Sequence, residues 1–175
     1  MIIIKDNFLE EKYLRSLIHI VEKGKKIKLD SSTSAHVMKE KTEYDWYMIN
    51  SEIRTSPIRY KLLEKIDKLT GEKTPDELTY IHLFAKEFDK NSFCAPHVED
   101  PKLYGNWTFM LYCTDEKDGA LSGEGFSILP KYNRVVIMKT GTIMHKVDKC
   151  SGRRLNIAGW PYATDLVVKK WKENK

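Results

Sequence analysis

Within Ala95-Pro96-His97-Val98-Glu99-Asp100-Pro101 an imidazole and a carboxylate stand two residues apart, and in extended chain such positions project to the same side. That segment can give two metal ligands. His145, in Ile143-Met144-His145-Lys146-Val147-Asp148, offers a third from a later strand, expected to lie opposite across a barrel mouth. Two histidines and one carboxylate are the facial set that holds Fe(II) and leaves three coordination positions open. A cosubstrate binding through two oxygens, plus dioxygen, needs that many; a closed four-ligand zinc site would leave none. Taken singly, His97 reads as a capping residue beside Pro96 and His145 as a half-buried strand histidine; their joint spacing is what marks them as ligands. His19, His36 and His82 have no partner pattern and are read as non-ligands.

A cation accompanies this set. Over the strand predicted at Arg154 to Trp160, alternation puts Arg154, Asn156, Ala158 and Trp160 on one face and Leu155, Ile157 and Gly159 on the other. If the first face is inward, Arg154 stands beside the metal, where a buried guanidinium needs an anion; the distal carboxylate of a dicarboxylate cosubstrate offers a bidentate partner. Tyr112, in the strand starting near Trp107, can place its hydroxyl on the same carboxylate. Read without that context, Tyr112 and Trp160 are core aromatics, and Arg134 is a structural ion pair at a turn.

These groups must be positioned by a scaffold. Leu9, Tyr13, Leu14, Leu17, Ile18 and Val21 recur at helical steps and predict a helix that Gly24 can close. A second helix has Ser56 as cap, Pro57 in its first turn, a stripe of Ile58, Leu62, Ile66 and Leu69, and Gly71 at its end. Lys23 to Lys28 reads as a solvated basic turn, and residues 31–44 as loop or weak strand, with Trp46 and Tyr47 placed as a substrate flap. From about Thr79 the pattern changes to short β-branched and aromatic runs: Tyr80 to Ala85, Trp107 to Thr114, Gly125 to Leu129, Arg134 to Met138, Ile143 to Asp148 and Arg154 to Trp160. A short helix from about Thr164 to Trp171 closes the chain. Helices first and antiparallel strands afterwards predict an α+β fold, a sandwich or open barrel with helices on one side.

The 175 residues suit one domain, here 1–175, with 1–75 as mainly helical cover, 76–162 as β core and 163–175 as a last helix. A hydrophobic share of 41% excludes disorder, and +5 net charge without an arginine-rich stripe gives no signature of a nucleic-acid partner. Cys94, Cys113 and Cys150 form no CxxC spacing, which argues against disulfides and thiolate zinc. No run is long enough to serve as a signal peptide or span a bilayer, so no membrane partner and a cytoplasmic location are expected.

The ordered series His97-Val98-Glu99-Asp100-Pro101, Leu111-Tyr112, Pro130 and Arg134, His145-Lys146-Val147, Arg154 and Trp160 resembles the Fe(II)- and 2-oxoglutarate-dependent dioxygenases, in their prolyl 4-hydroxylase branch. The match runs closely from His97 to Trp160; Arg154 follows His145 by 9 residues and Trp160 follows it by 15, counted on the sequence. The resemblance implies a double-stranded β-helix, a jelly-roll of cupin type, with the N-terminal helices packed on one sheet. It implies iron ligation by His97, Glu99 and His145, 2-oxoglutarate anchoring by Arg154 with Tyr112, and a substrate contact at Trp160. Three departures stand out. The carboxylate ligand is usually Asp, whereas here Glu99 precedes Asp100; parity favours Glu99. Lys86, Glu87 and Phe88 occupy the place where the family often carries a tyrosine. Arg153 adjoins Arg154, and a register slip would exchange them.

The implied reaction couples oxidative decarboxylation of 2-oxoglutarate with dioxygen to hydroxylation of an unactivated C–H bond, the C4 of a prolyl residue in a peptide or protein, releasing succinate and CO2. Ascorbate is the reductant such enzymes use. A carboxylate at Glu99 favours hydroxylation, because halogenating relatives carry a small residue there. The compact form is similar to bacterial and phage-encoded members. Two alternatives remain: a nucleic-acid demethylating dioxygenase, and a non-catalytic cupin-like module in which the metal only organises the pocket.

Overall fold

The computed structural model describes residues 1–30, 44–74 and 82–162. The expected helix from Thr164 to Trp171, His36, and most of the loop predicted over 31–44 lie outside them.

Eleven strands and three helices follow in the order β1 (Ile2–Lys5), α1 (Glu11–Glu22), β2 (Lys25–Asp30), β3 (Tyr44–Asn50), α2 (Arg59–Thr70), β4 (His82–Phe88), β5 (Phe93–His97), α3 (Pro101–Tyr104), β6 (Trp107–Tyr112), β7 (Leu121–Gly123), β8 (Phe126–Ile128), β9 (Val135–Lys139), β10 (His145–Val147) and β11 (Arg154–Trp160). A 3₁₀ turn at Glu52–Arg54 precedes α2. All pairings are antiparallel. The larger layer is β1-β9-β6-β11-β4-β3, with β2 on the far edge of β3; the smaller is β5-β10-β7-β8. β3 joins them, since Tyr47 to Ile49 pair with β4 while Tyr44 and Asp45 pair with β5. This is the double-stranded β-helix that the motif series implied.

Side-chain alternation divides the interior into two cores. Outward from the larger sheet, Phe109, Leu111, Val135, Ile137, Leu155 and Ile157 meet Leu14, Leu17 and Val21 of α1 and Leu62, Leu63 and Ile66 of α2. Both helices thus lie on one face of one sheet, where their apolar stripes and those strand faces are removed from water together. Inward, Met110, Tyr112, Val136, Met138 and Ala158 face Cys94, Leu121 and Val147 between the sheets. The functional groups sit in this second core.

Helix α2 follows its closing signal but starts later than expected, at Arg59 with Ile58 as N-cap and no side-chain cap, so Ser56 and Pro57 lie in the turn before it. Ser56 Oγ accepts from the Ile58 N–H at 3.3 Å. Gly71 takes the left-handed conformation, φ +74°, with its N–H on Asp67 O. Helix α1 ends differently from expectation: its C-cap is Lys23 in right-handed geometry, and Gly24 only returns an N–H to Val21 O.

Three segments differ more. Lys25 to Lys28 is not a turn but part of β2, where Ile27 and Leu29 are half-buried and Lys28 pairs with Asp45. Trp46 and Tyr47 are not a flap but central residues of β3, with Trp46 only 9% exposed. Ile2–Lys5 pairs with β9 in register Ile2↔Met138 to Lys5↔Val135. The first 75 residues therefore add three strands to the expected helical cover.

Candidate functional site

His97 closes β5 and His145 opens β10, and the two are direct partners across the antiparallel ladder. Their rings lie 4.3 Å apart between centroids and are inclined at 56°. Each Nδ1 faces a backbone carbonyl two residues earlier, His97 to Ala95 O at 2.9 Å and His145 to Ile143 O at 3.1 Å. A carbonyl can only accept, so each Nδ1 carries the proton and each Nε2 presents a lone pair. Glu99 Oε1 stands 3.9 Å from His97 Nε2. One ligand atom from each of the three lies within 4.8 Å of the others, the only such group of three among the described residues.

The next residue goes elsewhere. Asp100 is exposed and caps α3, accepting from the Lys102 N–H at 2.9 Å, whereas Glu99 is buried. The parity expectation for Glu99 agrees with this geometry.

The electrostatics are those of a site that suits a cation. Burial pushes the Glu99 carboxyl up to about 7, against the pull of Lys86 and the Trp160 indole. Burial, with His145 beside it, pulls His97 down to about 3, and burial lowers His145 too. Glu99 Oε2 is buried without a hydrogen-bond partner. Two neutral imidazole nitrogens and a carboxylate, converging and unsatisfied, fit a divalent metal of the iron type, which takes imidazole and carboxylate together and keeps open positions.

Arg154 heads β11 on the inner face and is fully buried, as alternation predicted. Its guanidinium packs over the rings of Phe88 at 4.6 Å and Tyr112 at 5.1 Å. One nitrogen makes long contacts of 3.4 Å to Tyr112 Oη and Met110 Sδ; Nε and Nη1 have no partner. Burying a cation in this state is costly, and among the described residues no carboxylate is paired with it. Arg153 faces the other way, onto Glu87 at 2.8 Å and Glu22 at 3.2 Å. Arg134 forms the turn ion pair expected of it, with Asp6 at 2.6 Å.

Other residues complete this cavity; sequence reasoning turns Trp160 inward and notes Lys86 and Phe88, but misses Phe84, Cys94 and Met110. Its lining includes Phe84, Lys86, Phe88, Cys94, Met110 and Trp160 besides the trio. Trp160 stacks on Tyr104 at 4.3 Å and meets Phe84 at 5.2 Å. Trp46 lies against Phe84 and Phe88 at 6.5 and 6.1 Å. Lys86 points its ammonium at Trp46 and Phe84, 4.8 and 5.1 Å from the ring centres. Across the ladder from Lys86 stands Asn156, fully buried, with both amide atoms unpartnered. The face of β11 foretold that Asn156 points inward; that it lacks a partner depends on β4 and β6 beside it.

No family model and no curated protein matches the sequence. Solved structures do match. A prolyl-4-hydroxylase from Pseudomonas putida aligns at 14% identity over 91% of this chain and 90% of its own, with a TM-score of 0.63. A viral collagen prolyl hydroxylase from Paramecium bursaria Chlorella virus-1, solved as a 2-oxoglutarate complex, aligns at 15% identity over 91% and 94%, TM-score 0.58. A prolyl hydroxylase from Trichoplax adhaerens, in complex with a hypoxia inducible factor peptide fragment, aligns at 14% identity over 96% and 86%, TM-score 0.62. This chain shares their fold along nearly its whole length.

Proposed function

We propose that this chain is an Fe(II)- and 2-oxoglutarate-dependent dioxygenase that hydroxylates an unactivated C–H bond, the C4 of a prolyl residue in a peptide or protein. Dioxygen, 2-oxoglutarate and the C–H bond would be converted to the alcohol, succinate and CO2. One observation carries the reading. Three ligand atoms converge on a point, and the same interior holds a fully buried guanidinium with two unpartnered nitrogens. A metal site alone has no need of that cation; a metal site that also takes a dicarboxylate does.

The iron supplies redox and dioxygen chemistry when bound, with ascorbate as a reductant. The protein supplies position. His97, Glu99 and His145 fix the ion from one side, the histidines held in the ligating tautomer by Ala95 O and Ile143 O. Arg154 and Tyr112 take the distal carboxylate and so orient the other end of the cosubstrate toward the trio. Trp160, stacked on Tyr104, walls the substrate side, and this apolar, ring-lined surface suits the flat pyrrolidine of proline. The three described structures named as prolyl hydroxylases support the same substrate class. Cys94, Cys113 and Cys150 are free and buried, in keeping with a reducing cytoplasm. No helix of the described residues is long and apolar enough to cross a membrane.

Fe(II) and 2-oxoglutarate added without oxygen should produce a weak visible charge-transfer band, absent in His145→Ala and weakened in Arg154→Ala. Admitting oxygen with proline-containing peptides should yield succinate and a +16 mass shift on the peptide, the mass of one oxygen atom. A band unchanged in both variants would refute the assignment. Metal binding without succinate would favour the non-catalytic module.

A further inference from the structure

The cavity carries more positive charge than iron and 2-oxoglutarate account for. A divalent ion, Arg154 and Lys86 bring four positive charges, and Glu99 one negative. A dicarboxylate cancels two of the remaining three. One positive charge is left, on the half-buried Lys86 in the cavity wall.

The position of Lys86 shows which end of the cavity holds the surplus. Arg154 faces Phe88 and Tyr112, while the Lys86 ammonium faces Trp46 and Phe84. Phe84 in turn abuts Trp160, the ring beside Glu99. The two cations therefore stand against different aromatic pairs, and Lys86 belongs to the wall that leads to the metal trio. No ion pair or hydrogen bond among the described residues falls to its ammonium; the ring faces give it only partial compensation. Asn156, its neighbour across the ladder, adds an amide whose donor and acceptor are both unused.

We propose that Lys86, supported by Asn156, is a specificity residue that selects a substrate bearing a carboxylate near the carbon to be oxidised. The inference rests on the dioxygenase reading above and narrows its substrate class. The carboxylate has two possible sources, the free α-carboxylate of an amino acid or peptide C-terminus, and an acidic side chain. An anion seated there also keeps the ammonium charged against the burial that draws its pKa down.

Manganese(II) in place of iron permits binding without turnover. The protein loaded with Mn(II) and 2-oxoglutarate is titrated calorimetrically with the N-acetyl amino acids, each as free acid and as amide. For at least one residue type, the acid should bind about tenfold or more tightly than its amide, the strength of a charge-assisted contact. Preference for acids over amides generally assigns the α-carboxylate; preference for Asp or Glu over Asn or Gln within the amide series assigns a side chain. In Lys86→Met the preference should vanish while 2-oxoglutarate affinity stays within about threefold, and Lys86→Arg should restore it. Arg154→Met should show the reverse, lost 2-oxoglutarate binding. Wild-type protein without any acid preference overturns the proposal. So does a Lys86→Met variant that loses 2-oxoglutarate as severely as Arg154→Met, which would make Lys86 a cosubstrate ligand. Wild-type protein that binds neither Mn(II) nor 2-oxoglutarate overturns the dioxygenase reading itself.

Discussion

At the scale of single residues, the trio holds its protons unevenly, and this sets how metal binding depends on pH. With His97 at about 3 and Glu99 at about 7, the histidines are neutral near neutrality while Glu99 is about half protonated there and carries its proton below it. Metal uptake below pH 7 must release about one proton, so Mn(II) affinity should rise about tenfold per pH unit up to about 7 and then level. Calorimetry in buffers of different ionisation enthalpy reads this directly, and Glu99→Gln should abolish the slope. Stability of the metal-free protein has a matching sign. Glu99 binds its proton more tightly folded than unfolded, so its contribution is present below about 4.5 and is lost as pH rises through 7. His97 acts oppositely, its contribution being lost as pH falls from 6.5 toward 3. Arg154→Met gives a second prediction. It should cut 2-oxoglutarate affinity on the order of a hundredfold, yet leave the urea midpoint of the ligand-free protein no lower, because the cation it removes is buried without a counter-ion. The trio and Arg154 were legible because ligand spacing and strand parity are properties of the sequence. Lys86 was legible only as a missing tyrosine. Phe84 stands two residues away on the same face of β4, but the nearness of Trp46 depends on β3 lying beside β4, a pairing of segments nearly forty residues apart, counted on the sequence.

At the scale of elements, two glycines separate local from distant demands. Gly71 ends α2 at φ +74° with nothing near its missing Cβ, so Gly71→Ala should cost about 1 kcal/mol in urea unfolding and leave ligand binding intact. Gly119, at φ +65°, lies against the site: an added Cβ would collide with Cys150 Sγ and touch Arg154 Cδ at 3.5 Å. Gly119→Ala should therefore lower 2-oxoglutarate affinity as well as stability, read by titration and melting on the same sample. The stripe and closing glycine of helix α2 were legible because both are local signals, whereas its start lies at Arg59, past the expected Ser56 cap and Pro57. Strand β2 was not. Lys25-Lys26-Ile27-Lys28-Leu29-Asp30 looks like a solvated basic run, and what makes it a strand is the ladder to β3, with Lys26 paired to Glu87 and Lys28 to Asp45. Likewise Ile2 to Ile4 are too few to signal anything alone, and become an edge strand only beside β9.

At the scale of the whole molecule, the two cores assign separate tasks to opposite faces of one sheet. Leu17 and Ile66 lie in the core between helices and sheet, away from the cavity. Leu17→Ala or Ile66→Ala should cost about 2–5 kcal/mol of unfolding free energy, while Mn(II) affinity of the folded fraction stays within about twofold; a large loss of metal binding would show that the cores are coupled. The α+β class and the helices on one sheet were legible from periodicity, since each period reports burial on one side. The crossing of β3 between sheets was not, because it is made by partners rather than by its own sequence. The facing of His97 and His145 across their ladder has a further result. Backbone pairing across that ladder sets how the two rings face each other, and guests of similar radius are left to be sorted by the chemistry of the donors. Nickel and copper outrank iron for such donors. Which element occupies the protein is then decided by supply, and a preparation exposed to a nickel resin would carry the wrong one until it is stripped and reloaded.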